Sequence, residues 1–115
     1  MTKAITTGKK ACRILDDKKG IDIAFFDVGK VSGVTDYFIV VSGTSPPHLK
    51  ALFNELQHSL KQDDIRCFRR AGDPDSGWLV LDYVDVVIHI FSQEARQYYA
   101  IEEFWEGAPK VSWEA

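Results

Sequence analysis

The sequence predicts an α/β domain, a small mixed β-sheet flanked by helices. Three observations carry this. Leu49, Leu52, Phe53, Leu56 and Leu60 recur at helical spacing and form one apolar stripe. Tyr37 to Val41 is an unbroken apolar run, as in a strand covered on both faces. Trp78 to Tyr83 and Val86 to Phe91 read as two strands of a tight hairpin around Val84-Asp85.

The remaining elements are taken in chain order. Ala4, Gly8, Ala11, Cys12 and Leu15 are small or apolar at helical spacing, and Gly20 is placed to stop that helix. Asp22 to Val28 reads as the first strand, and Gly29 to Val34 as a turn. Ser45 is a good N-cap and Pro46 suits the first position of the second helix. Ile65 to Arg69 reads as the third strand, so that strand, helix and strand suggest a right-handed parallel crossover. Gly72 to Gly77 is a loop. Ser92 caps a last helix expected to run to about Glu106, where Gly107 and Pro109 end it. The order is α-β-β-α-β-β-β-α, with no repeat or linker, and a single domain is expected over residues 1–115.

Composition narrows the function classes. The chain has 115 residues, 45% of them hydrophobic and 12% aromatic, which suits one core and excludes disorder. No apolar run approaches the roughly 18 residues of a membrane helix. No secretory signal or transit peptide is evident, and two distant cysteines, Cys12 and Cys67, suit reduced thiols in a cytosolic protein. Charge is uneven. Residues 1–20 sum to +4 and residues 21–71 to zero. Residues 72–115 carry nine Asp/Glu against Arg96 and Lys110, a net −7. Such a surface repels phosphate backbones and attracts basic proteins, so little direct nucleic-acid contact is expected.

Alternation along the hairpin separates two faces. Leu79, Leu81, Tyr83, Val86, Ile88 and Ile90 share one, which must lie against the helices. Trp78, Val80, Asp82, Val87, His89 and Phe91 share the other, a mixture of aromatic and polar groups typical of a partner-binding face. The alternative is a cross-strand pair, Trp78 with Phe91, packed under the C-terminal tail. Glu102, Glu103 and Glu106, beside Tyr98, Tyr99, Phe104 and Trp105, crowd the expected C-terminal turn of the last helix, where the macrodipole disfavours them. Such a local conflict often marks function.

Catalytic chemistry is not assembled. His48, His58 and His89 do not converge as metal ligands, and Cys67 has no local motif and an apolar strand setting. Ser42-Gly43-Thr44-Ser45 lacks the glycine count and Lys of a phosphate loop. Asp82 and Asp85 lack the rest of a nucleotidyl-transfer site. No enzymatic activity, cofactor or metal is expected.

Four segments, Asp36–Gly43, Trp78–Tyr83, Asp85–Phe91 and Arg96–Trp105, closely resemble the iojap family, whose members are ribosomal silencing factors. The resemblance runs from about Lys18 to Trp113. It implies a shrunken nucleotidyltransferase-like fold without the catalytic carboxylates. It also implies a bacterial-type cytoplasmic protein. Such a protein binds the large ribosomal subunit through a basic protein, L-fourteen, at the face that meets the small subunit. Occupying that face blocks subunit joining and represses translation. The implied interface residues are Trp78, Asp82, Tyr83, His89, Phe91, Arg96, Tyr98, Tyr99, Glu102 and Trp105, of which the face argument puts Tyr83 on the buried side. A homodimer is compatible with it. The rival expectation is a homodimeric assembly or scaffolding module for large-subunit biogenesis without silencing activity. Two positions depart from the family pattern: Ala71 replaces a usual Glu, and Val84 stands where many members have Gly in the hairpin turn.

Overall fold

The structure, a computed structural model, describes residues 3–33 and 35–114, and only the backbone of Lys3. The turn expected over Gly29–Val34 therefore ends outside the described residues. The elements are α1 (Lys3–Asp17), β1 (Ile21–Asp27), β2 (Tyr37–Gly43), α2 (Pro46–Gln62), β3 (Arg69–Asp73), β4 (Trp78–Asp82), β5 (Val86–Ser92) and α3 (Gln93–Tyr99). Short 3-10 turns cover Pro74–Ser76 and Ile101–Trp105. The predicted order holds. The five strands form one mixed sheet in the order β1-β2-β5-β4-β3.

Capping chemistry sets the helix ends. Ser45 Oγ accepts from His48 N at the start of α2, and Ser92 Oγ accepts from Ala95 N at the start of α3. α1 ends in a Schellman motif, with Gly20 N donating to Leu15 O (2.8 Å) and Lys19 N to Asp16 O (3.0 Å). The left-handed residue there is Lys19 (φ 67°), not Gly20. Gly20 serves by its size, since a Cβ would stand 2.7 Å from Val41 Cγ2 and 2.9 Å from Leu15 O.

The third strand is Arg69–Asp73 and not Ile65–Arg69. Tertiary pairing decides it: Arg69 lies opposite Asp82 and Asp73 opposite Trp78 in an antiparallel ladder. β3 does run in the direction of β2, but β2's adjacent parallel partner is β5, from Tyr37 opposite Val86 to Gly43 opposite Ser92. β3 is a short, fully exposed edge strand. The other edge, β1, is capped by the C-terminal segment, where Val111 N donates to Phe25 O and Asp27 N to Pro109 O.

The sheet divides two apolar cores. On the helix side, Leu15, Leu49, Leu52, Leu56 and Leu60 pack on Phe25, Ile39, Val41, Leu79, Leu81, Ile88 and Ile90. Truncating one such leucine to Ala costs about 3 kcal/mol. On the other side Phe26, Val28, Phe38, Val40 and Phe91 are buried together with Ala95 of α3, with Ile101, Trp105 and Ala108 packed against them. β2 is covered on both faces, as its unbroken apolar run requires.

The last helix does not run to Glu106. Ala100 turns left-handed (φ 46°), its N–H closes on Arg96 O, and the chain restarts as the 3-10 turn Ile101–Trp105. Glu102 and Glu103 thus lie in a first turn rather than a last one, so the expected macrodipole conflict is absent for them, while Glu106 caps the C-terminal end of the short 3-10 turn.

Candidate partner-binding face

The hairpin register is the predicted one: Trp78 opposes Phe91, Val80 opposes His89 and Asp82 opposes Val87. Cover on this outer face is partial. Phe91 is fully buried, whereas Trp78, Val80, Asp82 and His89 are half-buried. The sequence poses a choice between an open face and a packed pair, and both halves occur side by side. Trp78 and Phe91 do pair, with ring centroids 5.2 Å apart. The exposed side of Trp78 borders a shallow groove of about 380 Å³ with Ala71, Gly72, Ser76, Val80 and Tyr99. Gly72 (φ 90°) permits this strand approach, because a Cβ there would stand 2.0 Å from Trp78 O.

His89 organises the face. Trp78 Nε1–H donates to its Nδ1 at 2.9 Å, and the Phe38 ring packs against it at a tilt, with centroids 4.7 Å apart. Burial pushes its pKa down to about 4, so the ring is neutral and its Nδ1 free to accept. The aromatic row continues from Trp78 to Tyr99 (4.5 Å) and on to Tyr98 (5.0 Å). At the other end Phe38 meets the half-buried Trp105 at 5.2 Å. Tyr98 is 80% exposed and Tyr99 45%.

Several residues implied by the resemblance are committed within the molecule. Arg96 grips Glu102 through two N–H donors, at 2.7 and 3.0 Å, and reaches Ser42 Oγ at 3.0 Å. The pair pins the Ile101–Trp105 turn to β2. Asp82 Oδ1 accepts from Val84 N at 2.7 Å and serves its own hairpin turn. That turn closes by Asp85 N donating to Tyr83 O, with Val84 at φ 73°, a strained γ-turn. Two residues offer nothing to a partner on this face. Tyr83 lies buried on the helix side of the sheet, where strand alternation puts it. Phe91 presents no surface and supports Trp78 from below. Conversely, Phe104, which the resemblance does not implicate, is 78% exposed among the acids of the 3-10 turn. Its signal was an aromatic residue beside Glu102 and Glu103.

Among the described residues no cluster of three His, Cys, Asp or Glu side chains could hold a metal ion, and no helix is long and apolar enough to cross a membrane. Cys12 and Cys67 are free thiols. Burial pushes the Cys12 thiol up to about 12. Cys67 is in the loop before β3 rather than in a strand, and its Sγ donates to Arg69 O.

The family model described as "Ribosomal silencing factor during starvation" matches residues 2–115. The chain belongs to this family. The ribosomal silencing factor of Bacillus subtilis is 33% identical over 101 residues, which is 88% of this chain and 86% of that relative. A solved structure from Chromobacterium violaceum is similar with a TM-score of 0.84 at 34% identity, covering 96% of this chain and 91% of that one. A second, from Bacillus halodurans, has a TM-score of 0.80 at 27% identity over 97% and 99%. The small α/β fold with its five-stranded mixed sheet is thus a silencing-factor fold, and translation regulation is the family's named role.

Proposed function

We propose that this protein is a steric repressor of translation, acting on the ribosome without turnover. It docks on the large ribosomal subunit through the basic protein L-fourteen and so prevents the small subunit from joining. The observation that carries this reading is the exposure of Tyr98, Tyr99 and Phe104, with Glu103 and Glu106 exposed around Phe104 and the half-buried Trp78 against Tyr99. Aromatic anchors set among like charges suit a basic protein surface, where the acids steer encounter and the rings supply contact area. His89, Phe91, Trp105, Asp82 and the Arg96–Glu102 pair hold that rim in place. Tyr83 has no part in it. The same surface repels RNA phosphate, so protein recognition dominates there. The site of action is the bacterial-type cytoplasm.

Sedimentation of cell lysate on sucrose gradients tests this. The protein should travel with free large subunits, not with small subunits, and should be lost from them at high salt as its charges are screened. Sedimentation with small subunits contradicts the reading. Self-association of the purified chain through the Trp78 groove, without any effect on joining, would favour a homodimeric scaffold instead.

A further inference from the structure

On the helix side of the sheet, away from the aromatic rim, lies a second surface of opposite charge. A cleft of about 400 Å³ opens between the end of α2 and β3, lined by Gln57, His58, Lys61, Arg66, Arg70 and Tyr83 among others. Arg70 faces this side because it pairs with Leu81, whose side chain is in the helix-side core. Lys61, Arg66 and Arg70 have no carboxylate partner among the described residues, whereas Lys10, Lys18 and Arg96 are all paired. The neighbouring Asp63 is engaged by Lys10, and the other nearby acids, Asp64 and Asp85, lie with it in the adjoining pocket on the far side of Ile65 and Tyr83. Three free cations around one polar cleft are a site for anions.

Tyr83 adds a second and independent observation. It is 8% exposed, and its hydroxyl is a buried polar atom with no hydrogen-bond partner. Burial, then the Cys67 thiol, push the phenol up to about 12 against the pull of Arg70. The group is therefore a permanent donor, held within the electrostatic range of Arg70 and lacking an acceptor. Buried donors are rarely left so unless something else supplies the acceptor. A third feature lies in the same stretch of chain. Phe68 is 63% exposed, with the Arg69 guanidinium 5.2 Å from its ring centroid. An exposed ring next to Arg69, with Arg66 two residues before it, suits stacking against bases.

We propose that the cleft of Lys61, Arg66 and Arg70 binds the phosphate backbone of single-stranded RNA, with Phe68 as a stacking platform and the Tyr83 hydroxyl as a donor to phosphate oxygen. RNA is favoured over a free nucleotide because the cations are spread along an open cleft and the exposed edge strand β3 instead of converging on one glycine-rich turn. This departs from the expectation of little nucleic-acid contact, which rests on residues 72–115 and not on this segment. Isolated RNA suffices for the test, so its outcome is independent of the proposed ribosomal target.

Fluorescence anisotropy of the full chain with a labelled single-stranded oligoribonucleotide of about 12 nucleotides tests it. Binding should weaken steeply as salt rises from about 50 to 200 mM. Lys61→Ala, Arg66→Ala and Arg70→Ala should each weaken binding, about tenfold for the pair of arginines together, and reduce the salt slope by about one per phosphate contact. Tyr83→Phe gives a readout that a merely structural role would not: it should weaken RNA binding several-fold while leaving the melting temperature equal or higher, because it removes an unpartnered buried hydroxyl. Tyr98→Ala, on the opposite rim, should leave RNA binding unchanged. The proposal is overturned if the chain does not bind RNA at low salt, or if the arginine variants bind as well as the parent. It is equally overturned if ATP or UTP at matched phosphate concentration displaces the RNA completely, which would make the cleft a free-nucleotide site.

Discussion

His89 couples the aromatic rim to pH. Its unfolded value is about 6.5 and burial lowers the folded value to about 4, so folding favours the neutral ring. The associated stability is fully present above about pH 6.5 and is lost as the pH falls from there through about 4. Protonation at Nδ1 also removes the acceptor used by Trp78 Nε1–H. Chemical denaturation across this range should show the parent losing about 2–3 kcal/mol more than His89→Gln, which keeps an acceptor and does not titrate. Equal pH slopes for the two would show that His89 is not buried neutral. Val84 is a second residue whose cost is local. A β-branched side chain at φ 73° in a tight turn is strained, and it is half exposed and gains little from packing. Val84→Gly should raise stability by about 1 kcal/mol, read as an increased Tm.

The segment after β5 shows what sequence patterns carry and what they do not. The stripe from Leu49 to Leu60, the apolar run of β2 and the two-faced hairpin are local periodicities, and each is realised as its spacing requires. The break at Ala100 has no such marker, since a left-handed alanine is selected by a contact made beyond it. That contact is Glu102 bonded to Arg96 six residues back, a spacing at which side chains on one continuous helix are not neighbours. β3 begins later than its local pattern predicts for a related reason: pairing with β4 fixes it, and its own residues, Arg-Arg-Ala-Gly-Asp, favour no strand. At the site, alternation sorts Trp78 and His89 from Tyr83 correctly, but it does not say how far cover extends over Phe91. Nor does it show that Asp82 and Arg96 are already engaged. The Arg96–Glu102 clamp is a testable element. Arg96→Ala should cost about 2–3 kcal/mol, because it leaves a part-buried carboxylate alone. Arg96→Lys should restore only a fraction, since an ammonium does not make the two-pronged contact. Thermal melting reads both, and a neutral Arg96→Ala would show that the turn is held by its apolar contacts alone.

Across the whole molecule the sheet separates two surfaces of opposite character. One side presents aromatic rings and carboxylates around α3 and the turn after it, and the other presents the unpaired cations of the α2–β3 cleft. Trp78 serves both the rim and its support, so its truncation weakens folding and docking together. Tyr98 and Phe104 are the cleaner probes, being 80% and 78% exposed and nearly free of packing. The most direct measurement is light scattering of purified subunits as they join, with increasing amounts of the parent or of the Tyr98→Ala/Phe104→Ala variant. The parent should inhibit joining. The variant should melt at the same temperature and require at least about tenfold more protein for the same inhibition, about 1.4 kcal/mol of lost contact. Undiminished inhibition by the folded variant would contradict the assignment of this rim as the docking surface.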